Sequence, residues 1–161
     1  MYKLIISTFS MFLLNTLSLH ANSKSYSFVG VDTTLSHYND GFTPSLGIKY
    51  GKQVDMLRTT IGFTHAQKSG DTLQTFMLEV DKGLSNAFFQ QAKLHPYVGF
   101  NYGFVRHDSS DKGYSYGLSG GITYILNHSM DLNLGLQMLK VSKVKDFNDL
   151  NNINLSLHYF Y

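Results

Sequence analysis

The sequence predicts an all-β chain, eight antiparallel strands joined in order as an up-and-down barrel. Three observations predict it. Apolar residues alternate with small or polar ones at period two, and the alternation returns along the chain about every 10–20 residues. The 161 residues include 12 Phe and 11 Tyr but 2 Pro, and the one glutamate is Glu79, a composition that suits strands and not helices. No stretch holds 18 consecutive apolar residues, so no spanning helix is expected.

The elements follow in order. Residues 1–21 open with a weakly basic Met1-Tyr2-Lys3, continue through an apolar run over 4–14, and end Leu19-His20-Ala21, the pattern of a secretory signal peptide cleaved after Ala21. Its apolar run is too short for a bilayer span, which needs roughly 20 residues. Residues 22–161 are then one exported domain. Run one, 26–37, sets Val29, Val31, Thr33 and Leu35 against Gly30, Asp32, Thr34 and Ser36, and Asn39-Asp40-Gly41 turns the chain. Run two, 45–52, sets Leu46, Ile48 and Tyr50 against Gly47, Lys49 and Gly51. Run three, 56–66, sets Leu57, Thr59, Ile61 and Phe63 against Arg58, Thr60, Gly62 and Thr64, and Ser69-Gly70-Asp71 turns.

Run four, 73–82, sets Phe76, Leu78 and Val80 against Met77, Glu79 and Asp81. A longer link over 83–94, with Ala87-Phe88-Phe89, has no clear period. Run five, 95–106, sets Val98, Phe100, Tyr102 and Phe104 against Tyr97, Gly99, Asn101 and Gly103. Run six, 114–124, alternates most cleanly, run seven sets Leu132, Leu134, Leu136 and Met138 against Asn133, Gly135 and Gln137, and run eight alternates from Ile153 to Tyr161. Eight strands of about 9–11 residues need about 80 residues, which leaves enough chain for seven links.

Other classes are excluded by composition. Hydrophobic residues make up 43% and charged residues 15%, so the chain is not disordered. The net charge of +2 is scattered, with no basic stripe for nucleic acid. The absence of Cys removes disulfides, thiolate metal sites, a Cys nucleophile and a lipoprotein anchor.

Alternation alone does not say which face is wet. A lipocalin-like carrier would be apolar inside, a membrane barrel apolar outside. Here the non-apolar face is rich in Gly (Gly30, Gly47, Gly51, Gly62, Gly99, Gly103, Gly117, Gly121, Gly135) and poor in charge, which suits a narrow interior. Tyr50, Phe63, Tyr102, Phe104, Tyr114, Tyr116, Tyr124, Tyr159 and Tyr161 recur on the apolar face toward strand ends, as interfacial aromatics do. Both point to a transmembrane β-barrel.

The segments Pro96-Tyr97-Val98-Gly99-Phe100-Asn101-Tyr102-Gly103 and Gly117-Leu118-Ser119-Gly120-Gly121-Ile122-Thr123-Tyr124, with a closing strand ending at Tyr161, resemble the small eight-stranded outer-membrane β-barrel family of Gram-negative bacteria, the OmpA-like membrane domain and opacity-type barrels. The resemblance covers nearly all of residues 22–161 and implies residence in the cell outer membrane, in contact with its lipid and lipopolysaccharide. It also implies that the barrel-assembly machinery reads the closing strand at Tyr159 and Tyr161. Family members usually end in Phe where this chain has Tyr161. No peptidoglycan-binding domain is expected after residue 161.

Treating each hairpin as symmetric about its turn opposes Asp32 to Lys49, Lys49 to Arg58 and Arg58 to Glu79, all inward. The expectation is a row of two acids and two bases plugging the lumen, since charges there must pair. It could alternatively gate ions. His37, His65 and His107 stand at the loop ends of alternate strands, too far apart to share a metal and facing mostly outward, so no metal or other cofactor is expected. His107-Asp108-Ser109 matches the His-x-Ser spacing of outer-membrane lipid A deacylases, but no Glu follows, so no catalytic residue is assigned. His128-Ser129 has the wrong spacing. The outer loops, 38–43, 67–72, 106–113 and 143–151, read as short and polar. The sum is a monomeric, plugged, non-enzymatic barrel with a structural, envelope-integrity or surface-interaction role. A lipid A hydrolase and a soluble periplasmic ligand carrier are the alternatives.

Overall fold

A computed structural model describes residues 25–38, 41–68, 71–84, 93–108 and 111–161. The expected signal peptide, the segment around Ala87–Phe89 and Ser109 lie outside these residues. The strands are β1 (Ser25–Tyr38), β2 (Gly41–Val54), β3 (Leu57–Lys68), β4 (Asp71–Gly83), β5 (Leu94–His107), β6 (Asp111–Asn127), β7 (Met130–Ser142) and β8 (Asp149–Phe160). Each pairs antiparallel with its sequence neighbours, and β8 returns to β1, where Phe28 faces Phe160 and His37 faces Asn151. Closure leaves no free sheet edge, so every strand's ladder is satisfied inside the chain, which a lipid setting requires.

The strands outrun the alternating stretches, most at β2, β6, β7 and β8, because ladder hydrogen bonds continue where side-chain alternation fades. At 12 to 17 residues they exceed the span of a bilayer. A two-residue turn at Asp55–Met56 joins β2 to β3, with Asp55 in the left-handed region at φ 52°. A one-residue bulge lies between Ile125 and Asn127.

Side-chain direction decides between the two barrel types. Outward positions on all eight strands are apolar and exposed, among them Val31, Ile48, Ile61, Leu78, Phe100, Leu118, Leu136 and Leu155. Leu46 is 70% and Met138 69% exposed. A belt of this kind far exceeds what a soluble monomer leaves in water. Phe104 and Tyr114 stack at 5.3 Å near one end of it, and Tyr50, Tyr124 and Tyr159 stand near the other. The soluble-carrier alternative would need this face inside.

The inward face carries bulky side chains as well as glycines. Phe28 is fully buried, and its ring occupies the space a Cβ at Gly51 would take. Gly51 is therefore required by close approach and not by backbone angle.

Candidate functional site

Among the described residues polar side chains converge in the lumen, and they are layered along the barrel axis. At the loop end, where β1–β2, β3–β4, β5–β6 and β7–β8 connect, Ala66, Leu73, Met77, Val105, Leu139, Val141 and Leu150 form a buried apolar cluster. The link after β7 completes it. Lys143 adopts a left-handed φ of 70°, and Val144 and Phe147 fold back into the mouth. Phe147 packs on Tyr38 and on His107, and His107 Nδ1 lies 2.9 Å from Asp146 Oδ2. One sequence expectation is refined and one corrected here. The link over 143–148 keeps its polar residues at the surface, but Val144 and Phe147 are buried and make it a cap on the bore. His37 and His65 keep outward parity, but His107 faces inward and is buried, because β5 places its odd residues inside.

Below the cap, Lys49 Nζ sits 3.5 Å from Asp32 Oδ1 and 3.3 Å from Glu79 Oε2, with all three side chains buried. The ladder sets Lys49 between Gly30 and Gly62, which leave its chain room to cross the bore. Thr34 Oγ1 donates to Asp32 Oδ2 at 2.7 Å, and Ser156 Oγ donates to the other Asp32 oxygen. Gln137 Nε2 donates across the lumen to Glu79 Oε1 and Asn101 Oδ1, each at 3.4 Å, and Asn152 Nδ2 donates to Gln137 Oε1 at 3.0 Å. The layer thus joins β1, β2, β4, β5, β7 and β8 through one polar network.

Arg58 is not part of that layer, and the four-member row is corrected. Asp32 pairs with Gly47, Lys49 with Gly62, and Arg58 with Gln53 and Asp81. The hairpins turn at positions other than those assumed, and each register differs by an even number of residues. Parity survives and all four charges face inward, but they do not stand opposite one another. Arg58 belongs to a lower layer. Its Nη2 is 2.6 Å from Asp131 Oδ2 and donates to Gln53 Oε1 at 2.8 Å, while Nη1 lies 3.3 Å from His158 Nδ1. Asp131 Oδ1 meets His158 Nδ1 at 2.7 Å, and the guanidinium lies 5.2 Å from Phe28 and 5.5 Å from Phe160.

Sequence reading missed Asp131, which precedes the alternating run at Leu132, and the partnership of His158. It also missed Asn101, Gln137, Asn152 and Ser156 as lumen bridges. Alternation made the inward parity of Asn101 and Gln137 visible, but which residues meet across a bore depends on closure and side-chain reach. Tyr159 and Tyr161 stand exposed at the end of β8 and just past it, where Tyr161 N donates to Ser27 O at 3.0 Å.

The described residues form a closed, eight-stranded antiparallel barrel with an apolar exterior and a polar lumen, the architecture of a transmembrane β-barrel. Solved structures share that fold. Neisserial surface protein A (NspA) matches at a TM-score of 0.69 and 15% identity, over 87% of this chain and 99% of that one. Outer membrane protein H (OprH) from P. aeruginosa matches at 0.65 and 18%, over 84% and 99%. The outer membrane enzyme PagL matches at 0.54 and 10%, over 81% and 98%. The likeness is one of fold, and an enzyme stands among the matches. No protein-family model and no curated protein matches the chain. Like these structures, this chain folds as a closed eight-stranded barrel.

Proposed function

We propose that the chain is a monomeric structural barrel of the outer membrane, serving envelope integrity or surface interaction, with a lumen plugged by its own side chains. One observation carries the reading: the network from Asp32 and Lys49 through Glu79, Gln137 and Asn152 crosses the bore, and Val144 and Phe147 cap it. An eight-stranded lumen is just wide enough for such filling. Reconstitution in planar bilayers tests it. The expected record is a flat baseline, and sustained steps of porin size would overturn the plug.

Residues 1–21 serve in this reading as the export leader and 22–161 as the barrel domain. Lipid and lipopolysaccharide surround the belt, and the assembly machinery engages Tyr159 and Tyr161. Cations at the loop-end rim support an anionic lipid neighbour. Exposed Arg106 opposes exposed Lys112, and Lys143 lies 5.1 Å from the Tyr114 ring. The non-enzymatic reading is supported by His107, the base of the one His-x-Ser spacing, which is turned into the lumen against Asp146 and away from the lipid face.

A further inference from the structure

Below the Arg58 layer the lumen widens into a cavity of about 680 Å³, open at the end where the barrel's first and last strands begin and finish. Its volume falls within the range of small-molecule sites, roughly 300–1,000 Å³. Three carboxylates line it, Asp55, Asp81 and Asp131, beside the guanidinium of Arg58 and the imidazoles of His95 and His128. Arg58 is already committed to Asp131, Gln53 and His158.

Asp81 is the unusual member. It is 9% exposed, and among the described residues no ion pair reaches it. Its hydrogen-bond donor is Ser119 Oγ, at 3.2 Å. The ladder places Arg58 directly opposite on β3, yet the guanidinium turns to the other side of the bore. On β5 the opposite residue is Gly99, and a Cβ there would collide with Asp81 Oδ1. The carboxylate thus occupies a cradle kept open by glycine, and among the described residues no cation is in ion-pair contact with it, although Lys49 and Arg58 lie near enough to act on it. Around it the wall is aromatic and soft: Tyr26, Tyr97 and Phe160, with Met56 and Met130. Aromatic faces attract cations, and thioethers pack against irregular hydrocarbon.

We propose that this cavity binds a small amphipathic organic cation of the alkylammonium type. The ammonium head sits on Asp81, and the hydrocarbon lies along the aromatic and methionine wall. A buried carboxylate with no ion pair among the described residues supplies the charge, and the apolar lining selects an organic cation over a hydrated metal ion.

The test is calorimetric titration of the folded barrel in a maltoside detergent with three probes of matched length, n-hexylammonium, n-hexanol and hexanoate. Saturable binding of hexylammonium alone is the expected result. Asp81→Asn should weaken it by roughly ten- to a hundredfold, the scale of a lost charge-assisted contact, whereas Ser119→Ala should retain it. Equal binding of hexanol would reveal an apolar crevice and overturn the proposal. So would an Asp81→Asn barrel that binds hexylammonium as the parent does. If Asp81→Asn does not fold, the three-probe comparison on the parent decides alone.

Discussion

Lys49 holds two carboxylates that would otherwise face each other across a narrow bore. Lys49→Met leaves Asp32 and Glu79 buried without a counter-charge and should destabilise the barrel by about 3–5 kcal/mol, measured by urea unfolding in lipid vesicles. Adding Glu79→Gln to that variant removes one of the stranded charges and should recover a good part of the loss. An additive double variant would mean the three side chains are not coupled. At this scale the sequence was half legible. Period-two parity told which residues face inward, since a strand's alternation survives any even register error. It could not tell Lys49's partners from Arg58's. Partner choice across a lumen depends on how far a side chain reaches past its own ladder neighbour, and here Lys49 skips β3 altogether to meet Glu79 on β4.

The strands were legible as elements because each repeats one physical pattern, an apolar residue toward lipid and a small or polar one toward the bore. The links were not. Residues 143–148 look polar by composition, yet their two apolar members, Val144 and Phe147, are the ones buried, and Lys145, Asp146 and Asn148 are what solvent meets. A cap of this kind has no period to detect. Its anchoring is local: Val141 N donates to Asn148 O at 2.7 Å, and Lys145 N donates to Asp111 Oδ2 at 2.7 Å. Phe147→Ala should release it, with trypsin then cutting after Lys143 or Lys145 while the far-ultraviolet signal of the barrel is unchanged. Resistance equal to the parent's would show that the cap holds without its aromatic anchor.

For the whole molecule, the closed ladder from β1 round to β8 means that no strand can peel away without breaking two seams at once. The detergent-extracted protein should therefore run at different mobilities unheated and boiled on a gel, and a single mobility would contradict a closed barrel. Fold class was the most legible level of all, because it needed only the count of alternating runs, the sparsely charged face on which glycine was concentrated and the apolar face that carried the aromatics. The filling of the lumen was the least legible, since it emerges only when eight separate runs meet around one axis. The bulge between Ile125 and Asn127 bears on how such a chain can be inherited. Losing or gaining one residue inside a strand inverts the facing of every later side chain in that strand, and a bulge absorbs the odd residue. Descendants of this sequence should thus change strand length in twos, with single-residue steps confined to the turns and to the neighbourhood of Leu126, so that gap lengths across its lineage would carry a parity record of which face is wet.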